Sequence, residues 1–168
     1  QFDRDFVVYT GDYVSYENEQ QCSQLAEVLP HAVKVKLGTV AILGNHDYGK
    51  NWSEQDVADQ ITSQLEGVGI QVLSNDQTTI AGLTIIGLDD YWSLNFNPSS
   101  VMSQADFSQP SLVLCHNPDV CDLDVWKQYQ GWILAGHTHG GQVKPPFLDP
   151  PILPVKNSAY SSGEIDLK

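Results

Sequence analysis

An α/β fold with a mainly parallel sheet is predicted by three observations. Short apolar runs alternate along the chain with stretches of helical periodicity, the pattern that builds parallel sheets covered by helices. The first two runs stop abruptly, at Gly11-Asp12 and Gly44-Asn45. The residues with the most chemistry, Asp12, Asn45, His116, His137 and His139, fall just past predicted strand ends. Ligands bind at that edge of such sheets.

The elements follow in order. Asp5-Phe6-Val7-Val8-Tyr9-Thr10 reads as a buried strand. From Glu19 to Leu29, Cys22, Leu25, Ala26 and Leu29 recur at helical spacing, and Pro30 ends the run. Val40 to Leu43 is a second strand. Ser53 suits the N-cap of a helix from Glu54 to Glu66, with Val57, Ile61 and Leu65 on one face and Gly67 and Gly69 closing it. Ile70 to Leu73 is a third strand, and Thr78–Ile80 with Leu83–Leu88 form a hairpin around Ala81-Gly82. Asp89 to Pro110 is a long loop with one short helix near Ser99–Gln104, shaped as a lid, a pocket wall or a hydrophobic plug by Tyr91, Trp92 and Phe96. Leu112–Cys115 is a strand, a helix starts near Pro118, and Trp132–Ala135 is the last strand. The segment from Gln142 to Pro154 is too rich in proline for regular helix.

Composition narrows the function. The chain of 168 residues, 41% of them apolar, is expected to form one domain with a real core. Its formal charge of −13 comes from 21 acidic against 8 basic residues, with Arg4 the one arginine. Such a surface repels nucleic acid, and it repels phosphorylated substrates unless bound cations reverse the local field. No run approaches the ~20 apolar residues of a membrane span. Cys22, Cys115 and Cys121 lack CxxC spacing and read as reduced thiols, with Cys115 facing away from its neighbour His116. His31 has no such context and reads as surface or loop.

Gly136-His137-Thr138-His139-Gly140-Gly141 and Gly44-Asn45-His46-Asp47 carry the chemical signal. Alternating imidazoles on a glycine-rich turn project apart and suit two adjacent cations. Asp12 can bridge two ions, while Asn45, His116, His137 and His139 supply amide oxygen and imidazole nitrogen. A set without thiolate fits Mn, Fe or Zn ions in a reactive site better than a structural zinc. Two such ions generate a hydroxide and clamp both oxygens of an in-line displacement at phosphorus. His46 then overhangs the site as acid and transition-state stabiliser, with Asp47 accepting its other ring N–H. Asp89-Asp90 either touches the site or makes ordinary turn contacts.

Gly11-Asp12, Gly44-Asn45-His46-Asp47, His116 and Gly136-His137-Thr138-His139 together resemble the successive motifs of the calcineurin-like metallophosphoesterases. His116-Asn117-Pro118-Asp119, Gly140-Gly141-Gln142 and Pro154-Val155-Lys156 are similar to the small bacterial YkuE-like branch. The resemblance implies a four-layer α-β-β-α sandwich around two divalent ions. Asn45, His116 and His137 would complete one metal, His139 would bind the other, and Asp12 would bridge them. It also implies a small phosphorylated substrate, hydrolysed as a mono- or diester or a pyrophosphate, and a soluble or membrane-peripheral bacterial setting. The family's opening Asp-x-His motif does not occur in these residues. The expectation is therefore a domain over 1–168 lacking its first strand and part of its closing strands, with the His139 metal depleted of ligands, which leaves open whether two ions or only one would be bound. Loss of that motif motivates a second reading, a non-catalytic binding module on the same scaffold, against which the intact Asn45-His46-Asp47 argues, and a structural metal domain is the remaining alternative.

Overall fold

β-Branched and aromatic runs form the strands of the computed structural model, which describes residues 5–15, 20–31, 35–126, 128–141, 147 and 153–167. Arg4, Gln142 and most of the proline-rich stretch from Gln142 to Pro154 lie outside the described residues. Strands β1 (Phe6–Tyr9), β2 (Gly38–Ala41) and β3 (Ile70–Val72) form one parallel sheet in that order. Helices α1 (Gln20–Val28) and α2 (Gln55–Gly67) make its two crossovers. A second sheet holds β4 (Asp76–Ile80), β5 (Leu83–Gly87), β6 (Ser111–Cys115) and β7 (Trp132–Ala135), again in sequence order. The β4–β5 hairpin is antiparallel, and β5, β6 and β7 run parallel. Ala81 and Gly82 both take positive φ (50° and 87°), as a tight two-residue hairpin turn requires.

Three layers of apolar side chains separate four layers of backbone. Cys22, Leu25, Ala58, Ile61 and Leu65 pack α1 and α2 on the outer face of the first sheet. Val40, Ile42, Leu73, Ile85 and Leu114 fill the space between the sheets. Ile86, Val113, Cys115, Val101, Met102 and Val120 form the third layer, closed by Tyr91, Phe96, Phe107, Trp126 and Tyr129. The architecture is the expected α-β-β-α sandwich, but its last layer is thin. It holds α3 (Pro98–Met102) and loops instead of long helices.

The local differences have identifiable causes. The helix expected at Pro118 is a short 3-10 turn, Pro118–Asp122, capped by the Asn117 side chain on the Asp119 N–H at 2.9 Å. Helix α2 begins one residue late: Glu54, not Ser53, is its N-cap, and its carboxylate instead accepts the Lys50 N–H at 3.0 Å. Strand β2 ends at Ala41 because the chain must turn toward Asn45, although the Ile42 N–H still reaches the Tyr9 carbonyl at 3.0 Å. Among the described residues no helix is long and apolar enough to cross a membrane.

Ile85 sits between the sheets and is inaccessible to solvent, whereas Trp132 on edge strand β7 is 62% exposed. Ile85→Ala should therefore cost about 2–5 kcal/mol in urea unfolding. Trp132→Ala should stay within about 0.5 kcal/mol of the parent.

Candidate metal centre

Both sheets deliver their carboxyl ends to one place. Asp12 follows β1, Asn45 follows β2, His116 directly follows β6, and His137 lies two residues past β7. The loops after β1 and β2 meet backbone to backbone. A Cβ on Gly11 would lie 2.3 Å from the Gly44 nitrogen, and one on Gly44 would lie 2.3 Å from Asp12 Oδ1 and 2.6 Å from His116 Cε1. Only glycine permits this approach.

Asp47 holds the two loops together. Its buried carboxylate accepts the backbone N–H groups of Asp12 (2.8 Å), Tyr13 (2.8 Å), Val14 (3.3 Å) and Gly44 (2.9 Å). Burial pushes its pKa up to about 7 against the pull of the Gly44 N–H, and the Asp12 charge adds to the rise. The expected contact between Asp47 and the His46 ring is not made. His46 Nδ1 lies 3.1 Å from the Ser15 carbonyl, and the Asp47 oxygens are occupied by backbone donors. Asp47 therefore orients the loop that carries the ligands.

Asp12, His116 and His137 offer ligand atoms that all lie within 4.8 Å of one another. His116 Nε2 is the hub, 3.2 Å from Asp12 Oδ2, 3.2 Å from Asn45 Oδ1 and 3.2 Å from His137 Nδ1. Its Nδ1 donates to the Thr10 carbonyl at 2.6 Å, so Nε2 carries the free lone pair in the neutral ring. Asp12 Oδ1 is occupied by the His46 N–H at 3.1 Å. His137 Nε2 lies 2.9 Å from the Pro154 carbonyl, which leaves Nδ1 to face His116. Lone pairs of four side chains thus converge on one another. Such an arrangement is repulsive without a cation, and ligands bound at about 2.0–2.1 Å in a tetrahedron stand roughly 3.3 Å apart. The residues present fit a divalent ion.

Electrostatics agree with that fit. Burial alone would favour neutral His116, but its hydrogen bond to Asp12 and the Asp12 charge outweigh burial and raise its pKa. Burial likewise opposes ionised Asp12, and its contact with His116 prevails and lowers its pKa. A proton on His116 is the smallest cation able to satisfy these oxygens. Burial, followed by the His116 charge, lowers the pKa of His137 and favours the neutral ring a ligand needs.

His139 is exposed and lies outside this ligand group. Asp12, His137 and His139 all adopt left-handed backbone, with φ of 60°, 66° and 51°. Non-glycine residues accept such strain where the surroundings dictate it, as at functional sites. The Asp89–Pro110 loop divides its aromatic residues. Tyr91 and Phe96 pack edge to face on the core, whereas Trp92 sets its edge on His137 (4.8 Å between centroids) and stacks on Trp52 at 4.5 Å. Asp89 makes structural contacts, accepting from Tyr48, Ser74 and Ser93. Asp90 is fully buried and binds the Trp92 N–H at 2.9 Å through Oδ1, while Oδ2 has no hydrogen-bond partner among the described residues. The carbonyls of Thr10 and Pro154 escaped sequence reasoning because any residue type supplies one.

A family model described as calcineurin-like phosphoesterase matches residues 1–141. Phosphodiesterase YaeI of Escherichia coli (strain K12) is 32% identical over 165 residues, covering 95% of this chain and 57% of that protein. The uncharacterized metallophosphoesterase YkuE of Bacillus subtilis (strain 168) is 29% identical, covering 95% of this chain and 55% of its own length. UDP-2,3-diacylglucosamine pyrophosphatase LpxG of Chlamydia muridarum (strain MoPn / Nigg) is 24% identical, covering 85% and 56%. The chain spans little more than half the length of these curated relatives.

Two outcomes follow from the geometry. Mn²⁺ at a hundred times its Kd should stabilise the protein by about 2.7 kcal/mol, and Gly44→Ala should abolish that gain by displacing Asp12 and His116. Burial pushes Asp90 up to about 6, against the Trp92 N–H and the His116 charge. The folded protein therefore keeps a proton there that the unfolded chain releases near pH 4. Stability from this group is present below about pH 4 and is lost as pH rises toward 6. In metal-free protein, Asp90→Asn should gain stability over the parent across that window, by up to about 2 kcal/mol in urea titrations.

Proposed function

The chain belongs to the calcineurin-like phosphoesterase family, and on that premise we propose that it hydrolyses a phosphate mono- or diester, or a pyrophosphate, at the centre formed by Asp12, Asn45, His116 and His137. The convergence of these four side chains on His116 Nε2 carries the reading. A divalent ion held there supplies Lewis-acid polarisation of a phosphoryl oxygen and activation of water. Imidazole, carboxylate and amide donors suit Mn, Fe or Zn. Pyrophosphate is included because one relative is named as a pyrophosphatase.

The protein's own groups divide the remaining work. Asp12 has a place for each oxygen: Oδ1 takes the His46 N–H, and Oδ2 faces the ligand group. His46, half-buried, is fixed through Nδ1 on the Ser15 carbonyl, which leaves Nε2 to protonate the leaving oxygen. Asp47 holds the loop that aims both residues. Trp92 shields the His137 side from water, and Trp52, 40% exposed beyond it, offers a face to an apolar or ring-bearing leaving group.

A binding module without catalysis is the second reading, motivated by His139 standing exposed outside the ligand group. A second ion near His139 would need donors beyond the set described above.

Metal-free full-length protein given Mn²⁺ with aryl phosphate mono- and diesters separates the two. The hydrolase reading expects metal-dependent turnover, a 10²–10⁴-fold lower kcat in His46→Ala with Mn²⁺ affinity retained, and a larger KM increase for aryl than for alkyl esters in Trp52→Ala. Tight Mn²⁺ binding without turnover in the parent would favour the binding module.

A further inference from the structure

The segment from Leu153 to Ser161 touches the ligand group at His137, and the neighbouring Thr138 at a second point. The Pro154 carbonyl faces His137 Nε2 at 2.9 Å, and the Ser161 carbonyl accepts the Thr138 hydroxyl at 2.8 Å. Its own position is set mainly by two aspartates of the 3-10 turn after β6. Asp119, 5% exposed, accepts the Lys156 N–H through Oδ2 at 2.8 Å and the Asn157 N–H through Oδ1 at 3.1 Å. Asp122 accepts the Asn157 amide at 3.2 Å and the Tyr160 hydroxyl at 2.6 Å. The turn is itself rigid, because buried Asn117 caps the Asp119 N–H.

We propose that Asp119 is a positioning residue for His137: by pinning Lys156 and Asn157 it holds the Pro154 carbonyl against His137 Nε2, so that Nδ1 is presented bare to the ligand group. A carbonyl only accepts, so the nitrogen it faces must carry the proton. The other nitrogen is then the donor atom, and it lies 3.2 Å from His116 Nε2. Partners of this kind orient the ring and fix its tautomer, and losing one typically weakens metal binding 10- to 100-fold. Asp119 acts at one remove, through backbone. This assignment gives the Asn117-Pro118-Asp119 and Pro154-Val155-Lys156 motifs a joint purpose: one is the anchor and the other is what it holds.

The inference rests on His137 being a metal ligand, so its test has one arm that needs neither metal nor turnover. In metal-free protein labelled with ¹⁵N-histidine, the hydrogen-bonded Nε2–H of His137 should give a slowly exchanging proton resonance. Asp119→Asn should broaden or remove it and lower Mn²⁺ affinity 10- to 100-fold by calorimetry. Asp119→Glu, which keeps a carboxylate, should recover part of both. Asp122→Asn, which loosens the far end of the same segment, should change affinity less than threefold. Should Asp119→Asn fail to fold, Lys156→Pro removes the donating N–H from the opposite side and carries the same expectation. A persistent Nε2–H resonance with Mn²⁺ affinity within twofold of the parent would overturn the proposal. Loss of the resonance with a parent that binds metal but hydrolyses nothing would leave it standing while defeating the hydrolase reading.

Discussion

The buried carboxylate of Asp47 is the constraint on which the site depends. Four backbone N–H groups from two loops end on it, and a carboxylate taken out of water needs such donors. The bonds dictate how closely Gly11 and Gly44 approach, and hence where Asp12 and Asn45 stand. Since Asp12 also accepts the His46 N–H, the position of the proposed proton donor follows from the same bonds. Three functional side chains are thus placed by one group that need not touch the reacting atoms.

Repulsion is built into the remainder of the centre. Asp12, Asn45, His116 and His137 gather lone pairs that, among the described residues, a proton on His116 would neutralise in part. Left-handed backbone at Asp12 and His137 adds roughly 1–3 kcal/mol of strain apiece. These costs are tolerable because the residues sit at the ends of strands whose positions Val40, Ala41, Val113 and Leu114 are completely buried. A cation relieves the repulsion, so the apo protein is poised to bind one.

Strand positions were legible because β-branched runs and their glycine or histidine stops are local signals. The convergence of Asp12, Asn45, His116 and His137 was legible for the same reason, each lying at or just past such a stop, whereas His139 falls outside that group. Backbone partners were not. Nothing in a sequence marks the carbonyl of Thr10 or Pro154, because every residue has one. Adjacency and the family resemblance point Asp47 at the neighbouring histidine ring, whereas the stronger claim comes from donors more than thirty residues away. Ser53 carried the right side chain for a cap but stood one residue too early. The helix expected at Pro118 shrank to a turn because its carboxylates are committed to Lys156, Asn157 and Tyr160.

Each sheet is made from an unbroken stretch of chain, residues 6–72 for one and 76–135 for the other. Two halves of this kind can each gather most of their own strand pairing before meeting. The apolar layer between them is non-directional, whereas Asp12 and Asn45 from the first half meet His116, with His137 beside it, from the second at 3.2 Å separations. An ion seated there acts as a removable cross-link, the counterpart of a disulfide that opens with a chelator. Its binding would add to the free energy that holds the two halves together.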